Sequence, residues 1–158
     1  MFFALPFIAL FSVGVACSLI GCIVPLAAIA AVTASALRLR DGLLLVAGVW
    51  FANQFIGFAV HGYPVNANTL AWAAALALGT GAAFFVARAV KHPLIGFASA
   101  FAAFELVLML FSVPLGGWDA YAPRVLFEVF AVNAVWFAAA YLVLRVVSRG
   151  FDLDPSRR

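Results

Sequence analysis

MFFALPFIALFSVGVACSLIGCIVPLAAIAAVTASAL, residues 1–37, runs without a single charged side chain. As one helix it would be roughly 55 Å long at 1.5 Å per residue, against a bilayer hydrocarbon core of about 30 Å. The chain must therefore turn back inside the run, and Gly21 and Pro25 mark the reversal. The two halves predict spans near 2–20 and 24–38, the second of them short. This reading decides the fold, because one span more or less at the start moves the N-terminus to the other side of the membrane. The run has no positively charged start and continues unbroken to Leu37, so it is expected to be retained rather than cleaved as a signal peptide. No targeting or lipidation motif is evident.

Working outward, a third span covers Gly42 to Val60 and closes at HGYPVNANT (61–69), where Asn68 or Thr69 could cap the next helix. The fourth, about 69–90, ends at Arg88 and Lys91. Pro93 opens the fifth from a first-turn position that tolerates proline, and this span ends near Val113. PLGGWDAYAP (114–123) is the next loop, and a sixth span runs from Pro123 to Val147 before the polar tail SRGFDLDPSRR. The expectation is an all-α polytopic membrane protein with six transmembrane helices. Residues 1–148 would form one domain and 149–158 a short cytoplasmic tail. Too little of the chain alternates polar with apolar for a closed barrel.

Composition agrees with lipid as the solvent: 68% of the 158 residues are hydrophobic and 9% charged, where a soluble domain has about a quarter charged. Eight of the nine basic residues fall in three places, Arg38/Arg40, Arg88/Lys91 and Arg145/Arg149/Arg157/Arg158. With six spans all three clusters and both termini share one side, which the positive-inside rule makes the cytoplasmic side. The loops near 21–25, 61–68 and 114–122 then face outward, and Arg124 alone departs from the rule. The net charge of +3 is scattered over loop ends instead of forming a stripe, so no nucleic-acid partner is expected. Cys17 and Cys22 match neither a zinc nor a redox spacing and read as small packing residues. The runs AAIAAVTASA (27–36) and AWAAALALGTGAA (71–83) would let helix backbones approach closely.

Polar residues inside the spans are the candidates for function. Trp50, Asn53, Gln54, Gly57 and His61 follow i, i+3, i+4, i+7 and i+11 and so share a helical face. Two amides facing lipid would be costly, so that face points inward, as a clamp between helices or as a ligand contact. Gly57 would leave an open notch beside the amides. Glu105 lies in the fifth span near Phe97, Phe101 and Phe104, and needs a proton, an ion pair or a cation at that depth. Tyr121, Arg124 and Glu128 follow i, i+3 and i+7, so Arg124 can pair with Glu128 within one helix, leaving Glu105 alone unless the arginine bridges both acids.

These polar groups all lie within two to three turns of the outer surface, at roughly 5.4 Å per turn. Tyr63, Trp72, Trp118 and Tyr121 surround that level, as an interfacial aromatic belt or as the walls of a pocket. Asn133 and Trp136 are deeper and read as packing residues. His61 and His92 fall on opposite sides, and no HExxH, Cys-His cluster, GxSxG or Walker motif occurs, so an enzyme, a metal centre or a bound cofactor is not expected.

Six short helices, both ends inside and polar groups in the outer half resemble the substrate-binding S components of energy-coupling factor vitamin transporters. VWFANQFIGFAVHGYPVNANTLAW (49–72) is similar to a stretch in small proteobacterial membrane proteins of that type. The resemblance implies capture of a vitamin or its precursor from outside. It also implies the first three helices docking on a transmembrane coupling subunit driven by ATPases, or self-association without that module. The alanine spacing that docks such subunits lies in their first helix but here falls in the second, as Ala27/Ala31/Ser35 and Ala30/Ala34, and Met1-Phe2-Phe3 carries no metal-binding histidine. The first outer loop is also shorter than in that family. The expected ligand set is Trp50, Asn53, Gln54, His61, Trp72, Glu105, Trp118, Arg124 and Glu128, around a small flat polar heterocycle. Two other readings compete: an accessory or assembly subunit in which these residues are clamps, and a proton-coupled carrier using Glu105.

Overall fold

A computed structural model describes the backbone of residues 4–20 and 24–152 and the side chains of 8–19 and 24–145. Gly21, Cys22, Met1-Phe2-Phe3 and the tail beyond Asp152 lie outside the described residues. The six expected helices are present: α1 Ala4–Ile20, α2 Leu26–Ala36, α3 Leu39–Ala59, α4 Ala67–Ala89, α5 Pro93–Leu115 and α6 Pro123–Asp152. A single 3₁₀ turn, Trp118–Tyr121, interrupts the loop between α5 and α6. Four helices (α3 to α6) are long and apolar enough to cross a membrane, which makes the chain a polytopic membrane protein. The backbone of α6 continues to Asp152, so the start of the expected polar tail is helical.

The helix starts follow local chemistry. Asn66, not Asn68 or Thr69, caps α4: its Oδ1 accepts from the Thr69 backbone N–H at 2.9 Å and from the Thr69 hydroxyl at 3.2 Å. Thr69 is three residues beyond the cap, where a first-turn N–H is orphaned and needs an acceptor. Pro93 is the first residue of α5, with His92 before it as the cap. Gly116 (φ 80°) and Gly117 (φ 101°) end α5 in a conformation that a side chain would resist.

α2 is the exception in length and environment. Its 11 residues make it about 16 Å long, roughly half a hydrocarbon core. Every residue from Leu26 to Ala34 is buried, so it is apolar on all sides because protein surrounds it on all sides. It packs against α3, α4, α5 and α6. Ala27, Ala30, Ala31 and Ala34 are spent on that packing, and of the small-residue stripe Ser35 alone is exposed.

Both ends of α2 are held by side chains from distant helices. At its start, Oδ1 of Asn133 on α6 accepts from the Ala28 backbone N–H at 3.0 Å, while Nδ2 of the same amide donates to the Val129 carbonyl oxygen at 3.0 Å. At its end, Nη1 of Arg88 on α4 donates to the carbonyl oxygens of Ala34 (3.2 Å) and Leu37 (3.1 Å). The guanidinium also meets the negative end of the helix dipole. Arg88, which charge topology alone would explain, thus has a second role, and Asn133 is a cap as well as a packing residue. Ten residues separate Asn133 from the start of α6, about 15 Å of helix. α2 therefore begins at mid-thickness and fills the centre of the bundle only toward the end that carries Arg88.

α6 leans on the bundle through rings. Phe97 of α5 stacks on Phe137 at 4.5 Å, Phe101 meets Phe130 edge-on at 5.1 Å, and Phe137 stacks on Tyr141 at 5.7 Å. Its opposite face, including Phe127, Val135 and Leu142, is exposed to the surrounding solvent, which for this chain is lipid. Replacing Asn133 with alanine leaves the Ala28 N–H without an acceptor in a buried site. The expected cost is about 1–3 kcal/mol. It is measurable as a lowered unfolding midpoint in detergent or lipid, whereas Asn68→Ala leaves the midpoint unchanged.

Candidate functional site

The polar face of α3 is inward, and most of it is engaged. The Trp50 indole N–H donates to the Ala73 carbonyl oxygen at 2.9 Å, tying α3 to α4. Asn53 and His61 both meet Ser18 of α1. The Ser18 hydroxyl donates to the Gly14 carbonyl oxygen at 2.8 Å and lies 3.1 Å from Oδ1 of Asn53. The Ser18 carbonyl oxygen accepts from Nε2 of His61 at 2.8 Å, which assigns the ring proton to that nitrogen. α1 ends nearby at Ile20, so a carbonyl in its last turn needs this donor.

Gly57 does not open a notch beside the amides. Gly62 turns the chain with φ 68°, and the ring of Tyr63 folds back over Gly57 so closely that a Cβ there would sit 2.7 Å from it. The Tyr63 N–H donates to the Gly57 carbonyl oxygen at 3.1 Å and closes the turn. Gln54 remains: its Nε2 is buried and has no hydrogen-bond partner among the described residues.

A second group forms where α5, the 3₁₀ turn and α6 meet. Arg124 donates from Nε to Oε1 of Glu128 at 2.9 Å, the expected pair one turn apart, and its side chain is 89% exposed. It does not bridge to Glu105. The half-buried Glu105 carboxylate has no hydrogen bond or ion pair among the described residues, although it lies close enough to Tyr121 to act on its phenol. Burial first, and the Glu105 charge second, push the Tyr121 pKa up from the usual 10.0 to about 12. Trp118 stands edge-on to Tyr121 at 6.1 Å and is half exposed. Trp72 of α4 reaches the same loop, its ring 3.2 Å from where a Cβ on Gly117 would lie. Phe104, next to Glu105, is buried, and its ring lies 3.1 Å from where a Cβ on Gly79 of α4 would be.

The nine expected site residues therefore fall into two sets. Trp50, Asn53, Gln54 and His61 belong to the junction of α3 with α1 and α4, whereas Trp72, Trp118, Glu105, Arg124 and Glu128 lie around the loop between α5 and α6. No hydrogen bond or ion pair joins the sets among the described residues. Trp50, Asn53 and His61 are bonded within the chain, whereas the Gln54 amide nitrogen, the Glu105 carboxyl and the Trp72 and Trp118 indole N–H groups have no such bond among the described residues. Sequence reasoning passed over Ser18, which serves Asn53 of α3 and His61 in the turn after it. Its signal was a lone hydroxyl in an apolar run, too common a feature to point to a partner 35 residues away.

Two clefts lie elsewhere. One, of about 170 Å³, is wholly apolar and runs between α1, α2 and α6 beside Trp136. The other, about 470 Å³, opens at the basic end among α2, α4, α5 and α6. Among the described residues no three His, Cys, Asp or Glu side chains gather as a metal site would require. No protein-family model, curated protein or solved structure matches the chain.

The Tyr121 environment can be titrated directly. In a Tyr63→Phe/Tyr141→Phe background the remaining phenol should ionise near 12, followed by phenolate absorbance. Adding Glu105→Gln removes one negative neighbour, so the midpoint should fall while staying above 10.0, because burial persists. A midpoint that ignores Glu105 would separate the two residues.

Proposed function

We propose that the chain is a multi-pass subunit of a bacterial plasma membrane that captures a small polar heterocycle, such as a vitamin or its precursor, from the side opposite the basic end. In this reading α1 and α2 act as membrane segments alongside the four long helices, the basic end faces the cytoplasm by the positive-inside rule, and both termini are inside. The chain works as a binding subunit resembling an energy-coupling factor S component, not as an enzyme. Movement of the solute depends on a coupling subunit with ATPases or on self-association.

One observation carries the reading: in the half of the bundle that α2 does not reach, the buried Gln54 amide nitrogen and the Glu105 carboxyl have no hydrogen-bond partner among the described residues. A buried polar group left unbonded costs about 1–3 kcal/mol, so a ligand that bonds it recovers that cost on binding. Gln54 offers a donor in one set and Glu105 an acceptor in the other, so a solute that bonds both spans the two sets. Trp72 and Trp118 supply flat apolar surface near Glu105. Any coupling partner would meet the exposed rings of α3, such as Phe51 and Phe55, since the alanine stripe of α2 is enclosed.

A second reading has its own observation. Trp50, Asn53 and His61 are all bonded to other helices, as they would be in an accessory or assembly subunit whose polar residues only clamp. Native mass spectrometry of the gently purified protein separates the two. Binding predicts a co-purifying small molecule whose affinity falls about 10- to 100-fold in Glu105→Gln and in Gln54→Leu, with the unfolding midpoint kept. A larger complex that both substitutions dissociate, with no small molecule, would favour the accessory role. An inert monomer carrying only lipid would sink the solute-binding reading.

A further inference from the structure

The cleft at the basic end has features that neither topology nor the proposed solute site uses. It lies where the end of α2, the end of α4, the start of α5 and the last turns of α6 converge. Lys91 and Arg145 line it from two sides, and none of the described residues that line it is acidic. Arg145 is positioned by the aromatic stack of α6. Its Nε donates to the Tyr141 hydroxyl at 2.9 Å, and its guanidinium carbon lies 5.1 Å from the Tyr141 ring centroid. That ring is stacked on Phe137, which is stacked on Phe97. Arg88, by contrast, is turned away onto the carbonyls of α2.

Below the two cations the wall is apolar, formed by Phe137, Leu144, Ala36 and Gly96. The helix faces beside the cleft continue into lipid-exposed surface, with Leu94 63%, Ile95 57% and Leu142 64% exposed. A pair of cations at the membrane boundary above an apolar wall that opens sideways to lipid matches an amphiphile with an anionic head. A small hydrophilic anion would use only the upper half. We infer that this cleft binds an anionic glycerophospholipid, its phosphate held between Lys91 and Arg145 and one acyl chain lying along Phe137 and Leu144. Cationic pockets between helices on the basic side are the usual setting for such headgroups. The lipid would then bridge α6 to α4 and α5, across a junction where Phe97 and Phe101 of α5 meet Phe130 and Phe137 of α6.

The test uses the purified full chain, with phosphatidylglycerol and phosphatidylcholine of identical acyl chains as probes and native mass spectrometry as the readout. Phosphatidylglycerol should be retained in preference to phosphatidylcholine. Lys91→Gln and Arg145→Gln should each weaken its binding about fivefold, and the double variant about 25-fold, at roughly the strength of one surface cation each. Ala36→Leu, which narrows the cleft without changing charge, should also weaken it. Arg40→Gln, an exposed cation at the same end that does not line the cleft, should leave it unchanged. Lys91 is exposed, so its replacement leaves the unfolding midpoint in place and carries the test even if an Arg145 variant unfolds. Equal retention of the two lipids, or an Arg40→Gln loss equal to that of Lys91→Gln, would overturn the site. Inorganic phosphate binding alone with the same dependence on Lys91 and Arg145 would assign the cleft to a free phosphate and overturn the lipid.

Discussion

A helix that begins halfway through a bilayer leaves backbone N–H groups where no water can reach them, and the arrangement of this bundle follows from how that deficit is met. α2 has its start at mid-thickness and its end near the basic side. Its proline cap offers no side-chain acceptor. The Asn133 amide meets the Ala28 N–H from α6, and the Arg88 guanidinium meets the last carbonyls from α4. In hydrocarbon an unsatisfied backbone group costs several kcal/mol, so these bonds are conditions for α2 to exist where it does. They also fix α6 and α4 relative to it. Alanine and glycine around α2 then allow close packing, which supplies the dispersion energy that replaces the hydrophobic effect inside a membrane.

The same economy governs the other interhelical bonds. Ser18 with Asn53 and Trp50 with Ala73 join α3 to its neighbours, and Ser18 with His61 joins α1 to the turn that follows α3, while Thr80 and Ser112 turn their hydroxyls back to their own helices. Each such bond averages only about 0.6 kcal/mol in a membrane, because the separated helices would find other partners. Their effect is on register more than on stability. α1 is placed along α3 by one serine that touches two points eight residues apart, which a sliding helix could not satisfy together.

Features carried by short-range chemistry were legible in the sequence. Apolar run length predicted six helices, and the Pro93 start and the Arg124–Glu128 pair depend on residues within one turn. The same logic misplaced the α4 cap by two or three residues, at Asn68 or Thr69, since Asn66 and Asn68 are chemically equal and the extended backbone at Asn66 decides between them. Long-range pairs were out of reach. Asn133 looks like packing until the Ala28 N–H, 105 residues earlier, is brought to it. Gly57 looks like an open notch until the positive-φ turn at Gly62 folds Tyr63 onto it. The candidate site shows the same limit: periodicity placed Trp50, Asn53, Gln54 and His61 on one face, but could not say which of them neighbouring helices would occupy.

The two ends of the bundle consequently differ in kind. At the basic end, Arg88 is spent on the backbone of α2 and Arg145 is set on an aromatic stack, so positive charge there is organised by the fold beyond what orientation requires. At the opposite end α2 is absent from the centre and the polar inventory divides by helix. Residues facing α1 and α4 are bonded, whereas Gln54 and Glu105 keep unused hydrogen-bonding capacity. The buried Thr33 hydroxyl of α2 is unbonded as well among the described residues, so the penalty that hydrocarbon exacts for an unpaired polar group is borne at both ends of the bundle and not at one alone.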